Sequence, residues 1–339
     1  MADTSIKEVA RLAGVSIATV SRTLNFPDRV SKRTRRRVED AIQETGYRPN
    51  SLAQNFRRGR TNVLAVVVPA IGDPFAAGVM RGIQNAAAEH DYSVYVEEKP
   101  LQTMTRNEFN SLLGSRLADG MVIVASIPSA GVQVLTAANP PRMPIVIACE
   151  TPPELVTMPR VHIDNFAAAA DATEHLISHG HRRIAMIYGI LDSPLTIARV
   201  NGFRSAMERA GLDIPDQWLA EGFRTLCGGR DAAKALLSGD ERPTAILCGN
   251  DDMALGCLHE TRRMGLKVPN DLSLMGFDDI QFARVADPPL TTVRQPAEDI
   301  GERALARLCR LIAGEPPPAE AAEILPHELV VRDSIGPPP

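Results

Sequence analysis

Residues 5–25, SIKEVARLAGVSIATVSRTLN, predict two short helices joined by a tight turn. In the first helix, apolar residues recur at the spacing i, i+3, i+4 and i+7 and form one stripe: Ile6, Val9, Ala10 and Ala13. Ser5 and Glu8 have the spacing of a capping box, which favours a helix start at Ser5. Gly14 is suited to the left-handed conformation that ends a helix, and Ser16 is a good cap for the next one. The stretch therefore predicts a helix-turn-helix.

The second helix of this pair has two different faces. Val20 and Leu24 are placed to face inward. The opposite face carries small, polar and cationic side chains, at Ala18, Ser21, Arg22 and Asn25. A helix this short cannot bury both faces, and the outward one suits the DNA major groove, where an arginine can bond two acceptors of a guanine. From the spacing alone, a helical hairpin packed on another element is an equally good interpretation.

Charge favours the DNA-binding interpretation. A third helix is predicted from Ser31 onward, and its first turns are strongly basic, with Lys32, Arg33, Arg35, Arg36 and Arg37. A second basic stretch follows at residues 50–60, NSLAQNFRRGR. Residues 1–60 hold 13 basic and 6 acidic residues, whereas the rest of the chain holds 24 basic and 35 acidic ones. Only the N-terminal segment has the positive charge of a polyanion binder, so DNA binding is predicted there.

From Thr61 onward the pattern changes to short, apolar, β-rich runs that alternate with helical ones. The first set begins with a buried strand at residues 63–68 and a helix over 76–89, and the second set begins with a strand at 184–188. Such alternation predicts parallel sheets covered by helices on both faces. The 339 residues are ample for one or two such domains beside the DNA-binding module. Two successive sets indicate two similar lobes.

Composition excludes several classes of protein. The five cysteines are scattered without a C-x-x-C pair, which favours reduced thiols and argues against disulfides or a zinc site. The N-terminus carries no apolar signal segment, and no apolar run reaches the length of a membrane span. We therefore expect a soluble, cytoplasmic protein with no membrane partner.

An enzyme built on an α/β fold is a competing interpretation. The sequence has no G-x-G-x-x-G after a strand, no G-x-x-x-x-G-K-[ST], no H-E-x-x-H and no G-x-S-x-G. The seven histidines are dispersed, and His179 and His181 are expected at the surface or at a strand edge rather than in a catalytic site. We therefore predict neither catalysis nor a bound cofactor or metal.

Several short motifs of the N-terminal segment resemble those of the lac repressor family of bacterial transcription regulators. They are residues 6–10 (IKEVA), 14–16 (GVS), 18–22 (ATVSR), 46–47 (GY) and 49–50 (PN). The resemblance continues through the whole chain, and the local motifs at 25–28 (NFPD), 162–165 (HIDN) and 287–292 (DPPLTT) are most similar to cytidine-responsive members. It implies a transcription regulator, expected to be a repressor, whose affinity for DNA is controlled by a small effector.

The resemblance also implies the domain organisation. It predicts an all-α helix-turn-helix DNA-binding domain over 1–49, a hinge segment over 50–60 and an α/β core over 61–339. The core is expected to be two-lobed, similar to periplasmic binding proteins, with two doubly wound parallel sheets. Lobe one is expected to comprise 61–163 and 293–339, and lobe two 164–292. A transport-type solute receptor would share this core but has no use for residues 1–60, so that class is rejected.

Homodimerisation is expected from the mode of DNA recognition. One short recognition helix reads only a few base pairs, whereas a two-fold dimer reads a pseudo-palindromic operator in double-stranded DNA. The lac repressor itself forms a tetramer through a C-terminal leucine heptad, whereas residues 333–339 of this chain, DSIGPPP, contain no heptad. A dimer is therefore the expected assembly.

Carried over position by position, the resemblance implies the residues that contact the operator. They are Ser16, Ile17, Ala18, Thr19, Ser21, Arg22, Asn25, Arg29, Tyr47, Asn50, Ala53, Asn55 and Phe56. The hinge segment is expected to become helical only on DNA, where two copies push an apolar residue into the minor groove. Phe56 takes this place here, where most relatives have leucine.

The resemblance further implies an effector site between the two lobes, beyond the carboxyl ends of the strands. Its predicted residues are Asp73, Phe75, Asp164, Ser193, Leu195, Arg199, Arg224, Asn250, Asp251 and Asp278. Helix capping is the alternative role for Asp164 and Asp278, and a place in the core is the alternative for Phe75. The loop at 193–195 and Arg224 depart from purine-responsive members, which favours a nucleoside effector. A sugar or sugar acid is the alternative, because the same side chains serve hydroxyl-rich ligands equally well.

Overall fold

A computed structural model of the chain describes residues 5–47, 60–99, 105–114, 117–124, 127, 129–137, 143–150, 152–239, 241–317 and 319–339. The chain divides into two compact units, residues 1–61 and 62–339. The helices of the described residues are α1 (Ile6–Ala13), α2 (Ile17–Asn25), α3 (Lys32–Thr45), α4 (Pro74–Glu89), α5 (Arg106–Gly114), α6 (Ser129–Ala137), α7 (Asn165–Ser178), α8 (Pro194–Arg209), α9 (Leu226–Leu237), α10 (Asp251–Arg263) and α11 (Ala297–Ile312). The strands are β1 (Val63–Val68), β2 (Ser93–Glu98), β3 (Gly120–Ile123), β4 (Ile145–Ala148), β5 (Arg160–Ile163), β6 (Ile184–Tyr188), β7 (Leu219–Glu221), β8 (Ala245–Cys248), β9 (Ser273–Asp278), β10 (Thr291–Arg294), β11 (Ala322–Leu325) and β12 (Glu328–Val330).

The first unit is a three-helix domain, α1 to α3, around a small core. Its fully buried side chains are Val9, Ala10, Ala13, Val20, Val38 and Ala41. Ser16 and Ser31 cap α2 and α3, because their hydroxyl oxygens accept hydrogen bonds from the backbone N–H of Thr19 and Thr34 at 3.1 and 3.3 Å. The predicted helix-turn-helix and its two serine caps are therefore confirmed.

Both ends of α1 depart in part from the prediction. The side chain of Ser5 makes no capping hydrogen bond. Glu8 instead accepts a hydrogen bond from Arg11 at 2.9 Å, so the capping box is not formed. Gly14 ends the helix at φ 60°, as predicted, and a Cβ at this position would lie 2.6 Å from Nη2 of Arg37. Since Arg37 also donates to the carbonyl oxygen of Ala13, this member of the basic stretch fixes the turn between the two helices.

The second unit contains two sheets of the same winding. The first has the strand order β11-β5-β4-β3-β1-β2 and is parallel throughout. The second has the order β12-β10-β9-β8-β6-β7 and is parallel except for its edge strand β12, which runs antiparallel to β10. Alternate strand residues point into separate apolar cores, so helices cover both faces of each sheet. The predicted two-lobed, doubly wound α/β core is confirmed.

The last part of the chain corrects the predicted lobe boundaries. Residues 293–339 were expected in lobe one, yet only α11 and β11 belong there, whereas β10 and β12 belong to the second sheet. The tail after β12 stays on lobe two because Ser334 accepts a hydrogen bond from Thr291 N–H at 2.8 Å and donates to Leu274 O at 2.6 Å. Among the described residues, three short connections therefore join the lobes, at residues 163–165, 294–297 and 325–328.

His181 helps to fix this tail beneath the second sheet. Its side chain is fully buried, which corrects the expectation of a surface or edge position, whereas His179 is exposed. The ring nitrogen Nδ1 lies 2.9 Å from the hydroxyl of Thr244, and Nε2 lies 2.9 Å from both Ser273 Oγ and Gly336 O. Burial lowers the pKa of His181 from its ordinary value of 6.5. The folded state therefore favours the neutral imidazole.

We expect His181→Gln to reduce the pH dependence of stability. The unfolded chain binds a proton at this histidine near pH 6.5, whereas the folded chain resists it, so the contribution of His181 is present above pH 6.5 and is lost as the pH falls. Urea unfolding of the wild type and the variant between pH 8 and pH 5 measures this effect. The wild type should lose more stability than the variant on acidification, and two parallel curves would contradict the assignment.

None of the helices in the described part of the chain is long and apolar enough to cross a membrane.

Candidate DNA-binding face and effector cleft

The exposed face of α2 is the candidate DNA-binding surface of the first unit. Val20 is fully buried, while Ser16, Ile17, Ala18 and Arg22 are exposed and Thr19 and Ser21 are half-buried. Asn25 is the last residue of the helix. Ile17 is 44% exposed, although it is apolar. The exposed face of α2 therefore carries an apolar residue together with the cationic Arg22. Such a mixed surface suits base edges and thymine methyl groups.

The remaining predicted DNA contacts fall into two groups. Arg29 is exposed, and its guanidinium carbon lies 5.3 Å from the centroid of the Phe26 ring, which is itself exposed. Tyr47 is half-buried and packs against the core of the first unit. Four further predicted residues, Asn50, Ala53, Asn55 and Phe56, lie outside the described residues.

The candidate effector site is a cleft between the two lobes of the second unit, at the carboxyl ends of the parallel strands. Lobe one contributes Pro69, Asp73, Phe75, Ala76, Val124, Cys149 and Glu150 to its lining. Lobe two and the connection at 294–297 contribute Met186, Tyr188, Gly189, Leu195, Thr196, Arg199, Arg224, Gly249, Asn250, Asp278 and Gln295. Seven of the ten predicted effector residues therefore lie together: Asp73, Phe75, Leu195, Arg199, Arg224, Asn250 and Asp278.

Arg199 is the central cation of the cleft and is held by protein groups on several sides. Its Nε donates to Asn165 Oδ1 at 2.8 Å, and its Nη1 donates to the carbonyl oxygen of Gly249. The guanidinium carbon lies 3.6 Å from the centroid of the Phe277 ring, a cation–π contact. With only 5% of its surface exposed, Arg199 is a fixed part of the cleft wall.

Asp278 is the acidic partner of Arg199. Its Oδ1 lies 3.8 Å from Nη2 of Arg199 and accepts a hydrogen bond from Gln295 Nε2 at 2.6 Å. Burial raises the pKa of Asp278 to about 7, and the attraction of Arg199 offsets only part of that effect. Burial also lowers the pKa of Arg199 to about 10, with Asp278 acting in the opposite direction. An ion pair at this separation does not fully compensate the cost of burying two charges.

Two contacts cross the cleft from one lobe to the other. In the first, Nη2 of Arg224 lies 3.7 Å from Oδ2 of Asp73. Within lobe two, the carbonyl of Arg224 also accepts a hydrogen bond from Asn250 Nδ2 at 3.3 Å. The second contact across the cleft comes from Ser193. Ser193 Oγ donates to Glu150 Oε1 at 2.7 Å. Ion pairs and hydrogen bonds of this kind fix the approach of the lobes, and a bound ligand would have to accommodate or replace them.

Three predicted effector residues do not line the cleft. Asp164 is exposed and caps α7, since it accepts from Ala167 N–H at 2.9 Å. Asp251 is fully buried and accepts from Thr292 Oγ1 at 2.7 Å and from Ile280 N–H at 2.9 Å. Burial raises its pKa well above the ordinary value. Ser193 is buried and donates its hydroxyl to Glu150, which lines the cleft. Asp164 and Asp251 therefore have capping and packing contacts in this structure, and their contact with the effector stays a prediction.

Several cleft residues were absent from the prediction. Cys149 and Glu150 follow β4, Tyr188 ends β6, and Gln295 follows β10. The position of each after a parallel strand was the available signal, because the carboxyl ends of such strands meet at one edge of the sheet. Burial raises the pKa of the Cys149 thiol, which therefore stays protonated. Within the described residues, no group of three His, Cys, Asp or Glu side chains could hold a metal ion.

Comparison with known proteins gives a match for each of the two units. Residues 5–50 match the bacterial regulatory proteins of the lacI family, and residues 173–335 match the periplasmic binding protein-like domain. The chain is 40% identical to the HTH-type transcriptional repressor CytR of Escherichia coli strain K12 over 330 residues, which are 97% of this chain and 96% of that protein.

Two solved structures extend the comparison to the whole fold. A lac repressor dimer bound to operator and the anti-inducer ONPF covers 98% of this chain and 99% of its own, with 26% identity and a TM-score of 0.87. A complex of the transcriptional regulator CelR with cellobiose covers 97% of this chain and 99% of its own, with 31% identity and a TM-score of 0.74. The chain therefore belongs to the lac repressor family of bacterial transcription regulators.

Proposed function

We propose that this protein is a cytoplasmic, dimeric repressor that binds a pseudo-palindromic operator and responds to a neutral small molecule in the interlobe cleft. A nucleoside is the favoured effector. The observation that carries the proposal is the presence in one chain of a helix-turn-helix with an outward, cationic α2 face and of a cleft lined by paired charges. The near full-length similarity to CytR supports both halves.

The charges of the cleft favour a neutral effector over a sugar acid. Three lining residues are acidic, Asp73, Glu150 and Asp278, whereas two are basic, Arg199 and Arg224. Arg199 already donates to Asn165 and Gly249, and Arg224 faces Asp73. An anionic ligand would therefore enter a site whose two cations are already engaged by protein groups, with a carboxylate on either lobe nearby, which costs free energy.

A neutral sugar is the second candidate, because the related CelR structure holds cellobiose in a protein of the same fold. Both ligand classes present hydroxyl groups to carboxylates. A nucleoside is favoured over a sugar because the motifs at 25–28, 162–165 and 287–292 are most similar to those of cytidine-responsive members of the family. In either case the buried charges serve binding, and we propose no enzymatic activity.

The test is a titration of operator affinity with candidate effectors. An operator is first selected from a library of random duplexes, and its dissociation constant is then measured by fluorescence anisotropy with and without cytidine, cytosine, ribose and glucuronate. Coupling free energies of about 1–3 kcal/mol predict a change of roughly 5–150-fold with the true effector. A response to glucuronate but to none of the neutral compounds would contradict the proposed effector class.

We expect Arg22→Ala to weaken operator binding by about 1–3 kcal/mol and to relax the preference at one base pair per half-site, if Arg22 bonds a guanine with both donors. The reason is its exposed position on the outward face of α2. Gel-shift competition between operator and random duplex measures both effects. Arg11→Ala is the matched control, because Arg11 is an exposed cation of α1 that pairs with Glu8. Equal losses for operator and random DNA would make Arg22 a phosphate contact instead.

A further inference from the structure

Glu150 is a buried carboxylate in the wall of the cleft, and no sequence motif marks it. It follows β4, and the residue between them, Cys149, has φ 75°. Left-handed backbone at a residue other than glycine is uncommon and costs free energy, so such turns often serve to aim a side chain. Only 4% of the surface of Glu150 is exposed, and this residue lines the cleft.

The two carboxylate oxygens of Glu150 have different surroundings. Oε1 accepts the hydrogen bond from Ser193 Oγ at 2.7 Å, and Ser193 is itself 4% exposed. Ser193 occupies the N-cap position of α8 without capping it, so its hydroxyl is committed to Glu150. Oε2 accepts no hydrogen bond from the residues that the structure describes. A carboxylate oxygen that the protein leaves without a donor, in a residue that lines the cleft, can accept a hydrogen bond from a ligand, and hydrogen bonds to charged groups are stronger than those between neutral ones.

The groups around Glu150 do not offer a replacement for such a donor. Arg199 attracts Glu150 electrostatically but directs its own donors to Asn165 and Gly249. Asp73, a second acid that lobe one contributes to the cleft, adds to the negative charge near Glu150. The cleft therefore offers the second oxygen of Glu150 to a hydrogen-bond donor of the ligand and disfavours an anion beside it.

We propose that Glu150 is a specificity-determining residue, whose free oxygen accepts a hydrogen bond from a hydroxyl or amino group of the effector and whose charge excludes ligands that carry a carboxylate or phosphate. This inference rests on the proposed function in so far as it takes the cleft to be the effector site. It deepens that function, because it assigns the choice between neutral and anionic ligands to one side chain.

The test is calorimetric titration of the full chain with two matched pairs of probes, cytidine with cytidine 5′-monophosphate and ribose with ribonate. The wild type should bind the neutral member of at least one pair more tightly than the anionic member by tenfold or more. Glu150→Gln keeps the acceptor for Ser193 but removes the charge. It should weaken binding of the neutral member by about tenfold to a hundredfold, as expected for the loss of a hydrogen bond to a charged group. The affinity for the anionic member should stay unchanged or increase.

Two controls separate specificity from a structural role. Glu154→Gln removes an exposed acid in the same lobe and should leave the ratio between paired probes unchanged. Ser193→Ala removes the donor that positions Oε1 and should weaken the neutral member less than Glu150→Gln does. Thermal unfolding of all variants shows whether they are folded.

The ratio of the affinities for the neutral and the anionic member of each pair decides the outcome. A shift of the neutral-to-anionic ratio in Glu150→Gln supports the inference, even if ribose binds and cytidine does not, which would change only the proposed effector. It also supports the inference if the bound probe fails to alter operator affinity, which would instead contradict the proposed regulation. Equal losses for both members of a pair, an unchanged ratio, a preference of the wild type for the anions, or binding of neither neutral probe would overturn the inference.

Discussion

Removal of residues 1–61 is expected to abolish operator binding and to leave a folded, dimeric core that still binds the effector. The first unit ends at Thr61, and β1 begins at Val63, so the cut leaves both sheets of the core complete. Residues 1–60 hold 13 basic residues against 6 acidic ones, and the remainder is acidic. Affinity for DNA depends mainly on cations that neutralise phosphates, so the fragment should lose specific and non-specific binding together.

Three measurements on this fragment test the prediction. Sedimentation gives its assembly state, calorimetry with cytidine gives its ligand affinity, and anisotropy with random duplex at low salt gives its residual affinity for DNA. The intact chain is the reference for each. A monomeric core would place the dimer contacts in the first unit, and a core that still binds duplex DNA would contradict the division of function between the two units.

Much of the fold could be predicted because its signals are local. The apolar run at 63–68 coincides with β1, since a buried parallel strand reads as a continuous apolar stretch. The inward placement of Val20 and the outward placement of Arg22 follow from helical spacing alone. Ser16 and Ser31 cap their helices as a serine before an apolar periodic run predicts.

The predictions failed where distant contacts decide the structure. Residues 328–330 form a three-residue strand that pairs with β10, and hydrogen bonds of Ser334 with Leu274 and Thr291 hold the tail that follows it. No local pattern contains these contacts. Arg37 belongs to a basic run, yet its guanidinium fixes the turn after α1 through a contact 24 residues away in sequence. Such outcomes depend on which partners the tertiary fold brings within reach.

The effector site shows the same limit. Asp164, Asp251 and Asp278 lie at or just beyond the ends of strands. Their position in the sequence therefore predicts a place in the cleft for each of them equally. The three differ in the partner that each side chain contacts. Asp164 accepts from an amide of the helix it caps, Asp251 accepts from Thr292 of β10, and Asp278 pairs with Arg199. Glu150 was missed for the opposite reason, because the turn that aims it has no sequence motif.

Arg199→Ala is expected to abolish the response of operator affinity to the effector while leaving unliganded operator binding nearly intact. Arg199 contacts Asn165 of α7, Gly249 after β8, and Phe277 and Asp278 of β9, so its loss disorganises this part of the cleft wall. The loss also leaves Asp278 buried without its cation. We expect a cost of about 3–5 kcal/mol in the free energy of unfolding, as for the removal of one partner of a buried pair.

A more conservative variant separates ligand recognition from stability. Arg199→Lys keeps the positive charge near Asp278 but loses the planar fork that reaches Asn165 and Gly249 together. It should recover part of the stability lost in Arg199→Ala, as measured by urea unfolding, and still bind cytidine at least tenfold more weakly than the wild type. Full recovery of ligand affinity by Arg199→Lys would show that charge alone matters at this position.

The regulatory half of the prediction concerns the coupling between effector and operator. The pairs Glu150–Ser193 and Asp73–Arg224 set how closely the two lobes approach each other. We expect a ligand that changes this approach to alter the spacing of the two hinge segments in a dimer. That change would favour or disfavour the formation of their helices on DNA. Phe56→Ala should then show the reverse of Arg199→Ala, with weakened operator binding and unchanged ligand affinity of the free protein. Each variant is titrated with cytidine and operator separately. If Arg199→Ala still responds to the effector with wild-type affinity, the cleft described here is not the effector site, and the coupling must begin elsewhere in the core.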